Sequence, residues 1–509
     1  MYSAFFRRVI LPVSERALGL PTVKHFRQLT ESQWWPTDRL RDLQTRKLGQ
    51  TLLHARRTIP HFRDLLAAIP ESRLEQDPRV VYDELPLLFK EIVRREFPAR
   101  MVSEAFSSGG YKQTATAGST GKPLRYVVSR DGYAAWWAHH FRAFEAAGYR
   151  LGDRIAYVAA IRELTPERRI RDFLMRQVQL DAYQTSDKLL EAYLQKLRKH
   201  RPRILRGYPE MLFLLADAAE RRGVRDIRPV SVITNSNKLH EFQRKRIQEV
   251  FQAPVFDYYS CPESGAFAFE CDKHNGYHLA LEHGLVELVE DARKLAGAGS
   301  RGAALAGRPD TQSEGGGATT AAPGEARTHG PAASRTVTGG VVSTNLDNRA
   351  RGFIRYVTGD FATATSGPGG LGRECVCGRG LPLIDAVEGR AHSLIITRDG
   401  RYLHGVLFEG LSLHTEALKD LGQWVDRVQF VQETEDLVVL NVVKAREATG
   451  QAVEEKALGR TVTEVRKLLG PGMSVEVRFV DRIEQPASGK RQLVVSKVLP
   501  QRMQPREGT

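Results

Sequence analysis

The chain has 509 residues, 41% hydrophobic and 27% charged, with 75 Lys and Arg against 60 Asp and Glu. That length outgrows a single hydrophobic core, and the composition is that of a globular protein, so two or more domains are expected. The net charge of +15 suits nucleic acid, a membrane surface or phosphorylated small molecules, but no block resembles a basic nucleic-acid arm, so charge alone decides nothing; no nucleic-acid partner is expected.

The opening stretch, MYSAFFRRVILPVSERALGL, holds an apolar patch interrupted by Arg7, Arg8, Glu15 and Arg16. It is too short and too charged for a transmembrane span or a secretory segment. A helix packed on the body is expected, with an amphipathic helix touching a membrane as the alternative. Residues 1–100 read as helical and amphipathic, with Leu43, Leu48 and Leu52 on one stripe. From about 100 to 290, strand-like runs (DRIAYVAAI, VSVITNSN) alternate with helical ones (SDKLLEAYLQKLRKH, EMLFLLADAAERRG), which predicts an α/β layered body.

Residues 292–338 are Gly, Ala, Ser, Thr and Pro with almost no large apolar side chain. Such a stretch cannot bury enough surface to offset its ordering entropy, so a disordered insertion is expected there, or a flexible hinge between domains. Regular structure is expected to resume at Gly340. A final α/β segment follows from about 390 to 500, with VQFVQ, DLVVLNVV and SVEVRFV as strands. Four cysteines argue against a disulfide framework and for a reducing compartment, so a cytoplasmic protein is expected.

The first chemical signal is TATAGSTGKPL, with Thr116, Gly118, Ser119, Thr120, Gly121 and Lys122. The glycines permit close backbone approach to a phosphate chain, the hydroxyls donate, and the lysine adds a cation. The spacing is not that of the P-loop, and an ordinary polar turn before the strand LRYVVS is the bland reading. A second signal pairs Cys271-x2-His274 with Cys375-x-Cys377. Three thiolates and one imidazole suit a closed, tetrahedral structural zinc site, with His278 as the rival fourth ligand.

The phosphate-loop segment resembles that of adenylate-forming enzymes (acyl-CoA synthetases, firefly luciferase, peptide-synthetase adenylation domains), and four further stretches are similar to that superfamily in the same order. DYYSCPESG carries Asp257, Tyr258, Tyr259 and Glu263; RYVTGD ends in Asp360; GRAHSLIITRDG holds Gly389, Arg390, His392 and Ser393; PASGKRQLVV holds Lys490. The branch most resembled is the phenylacetate–coenzyme A ligase group and its relatives in capsule and exopolysaccharide gene clusters, on LRDLQTRKLGQTLLHARRTIPHFR, LPLLFKEIVRREF, RPRILRGYPEMLFLLA, ECDKHNGYHL and CVCGRGLPLI.

The resemblance implies a large adenylate-forming domain over residues 1–388 and a small α+β lid domain over 389–509 that moves about a hinge at Arg390, His392 and Ser393. It implies ATP and AMP bound by the phosphate loop, Ser236, Asp257, Tyr258, Tyr259, Asp360 and Arg390. Tyr259 would lie against adenine, Asp360 on the ribose hydroxyls and Glu263 on Mg2+, with Lys490 as the catalytic cation. The implied reaction is ATP-dependent formation of an acyl-adenylate from a small carboxylic acid, then transfer to coenzyme A. A carrier-protein thiol or an amine is the alternative acceptor, and a second copy of the chain is admitted as a partner. The chain departs from the family at Ser260-Cys261-Pro262 (usually Gly-x-Thr), at Ala117 (often Ser) and at His392 and Ser393 (usually an acidic pair). Those departures and the charge keep open a competing reading, a zinc-stapled binding protein without catalysis.

Overall fold

The structure is a computed structural model that describes residues 2–106, 110–115, 124–159, 166–181, 187–290, 335–366, 370–390, 394–398, 402–404, 408, 425–444, 451–483 and 493–498. The phosphate loop from Thr116 to Lys122, the hinge positions His392 and Ser393, and Lys490 lie outside the described residues, as does the low-complexity stretch up to residue 334.

The N-terminal part is helical, as its periodicity predicts. The long helix Thr37–Thr58 buries Leu40, Gln44, Leu48, Leu52 and Ala55, a stripe spaced at three and four residues. Leu43, expected on that stripe, is only half-buried, because the face turned to the body starts at Leu40. This face packs with Phe62, Leu74, Val81 and Tyr82 onto Leu285, Phe353 and Tyr356.

A hairpin of β1 (Tyr111–Ala115) and β2 (Arg125–Ser129) brackets the phosphate loop. The body is an eight-stranded sheet. β3 (Ile155–Ala159), β4 (Gln177–Asp181), β5 (Ile204–Gly207), β6 (Ser231–Asn235) and β7 (Val255–Cys261) run parallel in the order β4-β3-β5-β6-β7. β8 (Ala266–Phe269), β9 (Tyr277–Leu279) and β13 (Leu383–Ile384) extend it antiparallel. Strand alternation sends Ile204, Ile233 and Phe256 to the face covered by the helix Arg130–Ala146. Their neighbours Leu205, Val232 and Val255 face the helices Asp187–His200, Pro209–Arg221 and Glu241–Phe251. Burial on both faces is why these strands read as continuous apolar runs.

A four-stranded antiparallel sheet follows, formed by β10 (Gly284–Val289), β11 (Arg335–Asn345), β12 (Tyr356–Ser366) and β14 (Ala386–Arg390). β11 starts at Arg335, earlier than the expected Gly340. The run Arg335–Thr338 holds three consecutive β-branched residues, Thr336, Val337 and Thr338, and pairs with Thr363–Ser366.

Farther on lie the two-stranded pair β15 (Leu394–Ile396) and β16 (Tyr402–His404), then a four-stranded sheet. That sheet contains β17 (Val425–Gln432), β18 (Leu437–Lys444), β19 (Ser474–Phe479) and β20 (Val494–Ser496) in the order β19-β18-β17-β20. The helix Gln451–Leu469 packs Val465 and Leu469 on Phe430, Val438 and Leu440, giving the C-terminal α+β unit its own core. No helix among the described residues is long and apolar enough to cross a membrane.

Candidate active site and thiol cluster

Parallel α/β sheets bind ligands beyond the carboxyl ends of their strands, and two of the residues expected to bind nucleotide, Ser236 and Tyr259, lie toward those ends. At the end of β6, Ser236 adopts φ +76°, a left-handed conformation that non-glycine residues rarely take and that clusters at functional sites. Near the end of β7, the Tyr259 hydroxyl donates to Asp360 Oδ2 at 2.7 Å. Burial, then the neighbouring Asp360 charge, pushes the Tyr259 phenol well above its ordinary pKa, so it stays a donor. Asp360 is buried on β12, where its backbone N–H donates to Thr358 Oγ1 at 3.0 Å. The β12–β14 register sets Asp360 opposite Arg390 and Phe361 opposite Gly389, the latter at φ +87°. Ribose-binding and hinge candidates thus share one strand pair.

Glu263 sits, buried, in the turn joining β7 to β8. That turn lies against the end of β11 because Gly265, at φ +81°, has no side chain; a Cβ there would fall 2.6 Å from Asn345 Cα. Arg351 secures it. One guanidinium nitrogen donates to Pro262 O at 2.7 Å and the other to Val127 O at 2.7 Å. The guanidinium also lies over Tyr126 and Phe353, 4.5 and 5.0 Å from the ring centroids. Arg351 therefore ties β2, the strand leaving the phosphate loop, to the Glu263 turn. Asn348 reinforces β2, accepting from Ser129 N at 3.0 Å and donating to Val127 O at 2.9 Å. Neither Arg351 nor Asn348 has a local sequence signature.

Two expected nucleotide ligands have other employment. Asp257 accepts from Thr234 Oγ1 at 2.6 Å and Tyr277 OH at 2.8 Å inside the sheet. Burial, then the adjacent Glu270 charge, pushes its pKa up to about 7. Tyr258, one residue from Tyr259, is turned by strand alternation into the aromatic core beside His140, Phe144 and Phe267.

The thiols converge as their spacing predicts, with one correction. Ligand atoms of Cys271, His278, Cys375 and Cys377 all lie within 4.8 Å of one another. Cys271 Sγ and Cys375 Sγ are 3.8 Å apart, and Cys377 Sγ is 3.3 Å from His278 Nε2. Tetrahedral Zn–S bonds of about 2.3 Å place two sulfurs about 3.8 Å apart, so this donor set fits a structural zinc ion. His278 Nδ1 lies 2.8 Å from Leu381 O, a carbonyl that can only accept, so Nδ1 carries the proton and Nε2 faces the thiols. His274, expected as the fourth ligand, takes φ +49°, lies 3.3 Å from Glu270 and packs on Phe256. The left-handed turn aims it away, and the β9 residue His278 replaces it.

A second group, His139, His283 and Asp347, also has metal-ligand composition. There the Lys47 ammonium already contacts Asp347, and a cation in that position opposes a metal ion. Burial alone would raise the Asp347 pKa, but Lys47 and the two imidazoles hold it well below the usual carboxylate range. With the buried Arg142–Glu282 pair at 2.8 Å, which also takes a hydrogen bond from Ser32, this network joins the N-terminal helices to the body.

Comparison with known proteins bears on the fold. Residues 403–497 match the CapK C-terminal domain family. Over 179 residues the chain is 24% identical to Protein CapK of Staphylococcus aureus, a match covering 34% of this chain and 39% of that protein's length. A solved 2-hydroxyisobutyryl-CoA ligase, in the postadenylation state with R3-HIB-AMP, superposes with a TM-score of 0.62 at 17% identity, covering 92% of both chains. The same ligase with 2-HIB-AMP gives 0.60 at 18% identity and 89% of each chain. The chain therefore has the fold of the adenylate-forming acyl-CoA ligases, the superfamily its motifs resemble, and its residues 403–497 are similar to the CapK C-terminal domain.

Proposed function

We propose that this protein activates a small carboxylic acid with ATP and passes the acyl group to a thiol, with coenzyme A as the acceptor. The observation that carries the reading is the Tyr259–Asp360 hydrogen bond near the end of β7, with the buried Glu263 in the turn that follows that strand, in a fold that follows an acyl-CoA ligase along nearly its whole length. In the first step a substrate carboxylate oxygen attacks the α-phosphorus. The bond from that phosphorus to the bridging oxygen breaks, and pyrophosphate leaves. In the second, the thiol sulfur attacks the acyl carbonyl, loses its proton, and AMP departs.

Tyr259 offers a ring face to adenine, and Asp360 offers carboxylate oxygens to vicinal ribose hydroxyls. Glu263 supplies the hard oxygens that Mg2+ prefers, and the ion, when bound, neutralises phosphate charge. Arg351 keeps the Glu263 turn in register with β2 and hence with the phosphate loop. Lys490, on the small domain 389–509, is assigned the ammonium that stabilises charge at the α-phosphate, with reorientation about Arg390–His392 serving the second step. Cys271, His278, Cys375 and Cys377 hold zinc as a structural staple, since four protein ligands leave no open position. The CapK match supports the capsule-associated branch of the superfamily.

The decisive experiment is pyrophosphate release measured across a panel of aryl, fatty and hydroxy acids. Acid-dependent release that is lost in Lys490→Ala supports the reading. ATP binding without release for any acid, unaltered by Lys490→Ala, would show a binding protein instead.

A further inference from the structure

Half of the large hydrophobic side chains exposed among the described residues gather where two distant segments meet. The first is the helical run Tyr2–Leu18, made of Tyr2–Phe5, a π-helical turn Phe6–Ile10, and Leu11–Leu18. Its inner face is anchored. Phe6 is buried, Tyr2 stacks on it, and the Tyr2 hydroxyl donates to Leu174 O at 2.6 Å. Its outer face carries Phe5, Val9 and Val13 at intervals of four, all exposed, Val13 at 64%.

The second segment is the helix Pro166–Leu174, whose last residue receives the Tyr2 hydrogen bond. It exposes Ile170 and Phe173, the latter at 80%. Arg176, just beyond that helix, lies 4.9 Å over the Tyr2 ring.

Charge on this face is one-sided. Arg8 and Arg16 are exposed among Phe5, Val9 and Val13, and Arg169 is exposed beside Ile170. The acids whose side chains are described turn away. Glu15 accepts from the Val23 backbone N–H, and the buried Asp172 is held by Arg171, Gln177 and Gln179. Apolar side chains interleaved with cations, with the acids drawn inward, match the boundary between acyl chains and anionic headgroups. Nucleic acid would have no use for exposed Val and Phe.

We propose that this face docks the protein on an anionic phospholipid bilayer surface. The apolar side chains enter the interface and Arg8, Arg16 and Arg169 meet the headgroups.

The test is co-sedimentation of the full chain with vesicles of phosphatidylcholine alone or mixed with phosphatidylglycerol. Three arginines predict binding to the anionic vesicles on the order of a hundredfold tighter, weakening with salt. Val9→Ser/Val13→Ser/Phe173→Ser should lose at least roughly tenfold of that affinity, while Arg8→Gln/Arg16→Gln/Arg169→Gln should lose the preference for anionic lipid. All six positions are exposed, so unchanged thermal melting keeps the comparison fair. Absence of vesicle binding, or a serine variant that binds like the parent, overturns the proposal. So does a parent that self-associates without vesicles while the serine variant stays monomeric, which would make the face a contact between copies of the chain.

Discussion

Replacing Arg351 with methionine isolates the tie between the phosphate-loop hairpin and the Glu263 turn. Each of its two carbonyl hydrogen bonds, both 2.7 Å, involves a charged donor. Such bonds contribute about 1.5–3 kcal/mol each, or about 3–6 kcal/mol together. Against this stands desolvation, which pushes the Arg351 pKa down to about 10. A displacement of that size corresponds to about 3 kcal/mol against the charged form. Methionine keeps contact with Tyr126 and Phe353 through its polarizable sulfur. The net loss of stability should therefore be modest, about 0–3 kcal/mol.

The effect on chemistry should be larger than that figure suggests, because Val127 O and Pro262 O lose the one group bridging them. The expected outcome is at least about a tenfold fall in acid-dependent pyrophosphate release with the KM for the acid nearly unchanged, since the lost alignment concerns the phosphate side. Arg351→Lys can serve only one carbonyl at a time and should recover less than half of the activity. Urea unfolding and initial rates read the two effects separately. A variant destabilised by the expected amount but turning over at the parental rate would refute a positioning role for Arg351.

Three buried histidines predict acid sensitivity. Burial holds His139 and His140 down at about 3 and His240 at about 4. In each case the folded pKa lies below the unfolded value, so stability is fully present above about 6.5 and is lost as pH falls. At about pH 5.5 each should have cost about 1.4 kcal/mol, roughly 4 kcal/mol together, and a flat urea midpoint between about pH 7 and 5.5 would count against their burial. Metal analysis of the purified chain should find one equivalent of zinc, with Cys375→Ser and His278→Ala abolishing it and His274→Ala retaining it. Zinc loss in His274→Ala alone would reverse the ligand assignment made here. Asp360→Ala should weaken ATP binding by at least about tenfold, and Tyr259→Phe, which removes only the 2.7 Å hydrogen bond, by about tenfold or less in isothermal titration. Equal affinity in Asp360→Ala would remove that residue from the nucleotide site.

Where a feature depends on neighbours along the chain, it is readable from the residues. The alternation of strands and helices follows from apolar runs and 3.6-residue periodicity, both local properties. Each thiol motif, Cys271-x2-His274 and Cys375-x-Cys377, is local too, but the meeting of Cys271 with Cys375 across the chain goes with the pairing of β9 and β13. The choice between His274 and His278 is not local. Both follow Cys271 closely, and only the left-handed turn at His274 and the register of β9 with β13 decide which imidazole faces the sulfurs. Asp257 and Tyr258 adjoin Tyr259, the proposed adenine contact, in sequence, yet strand alternation and the Tyr277 and Thr234 hydroxyls commit them to the interior.

By itself, then, the amino-acid order determined the layered α/β body, the C-terminal α+β unit and the short motifs whose resemblance points to adenylate chemistry, because each is written in contiguous residues. Only tertiary structure decided which histidine joins the thiols, that Arg351 bridges Val127 to Pro262, and that exposed Phe5 and Phe173 belong to one face. Those are contacts between residues up to hundreds of positions apart, and their geometry arises from the packing of whole sheets and helices, which no local pattern encodes.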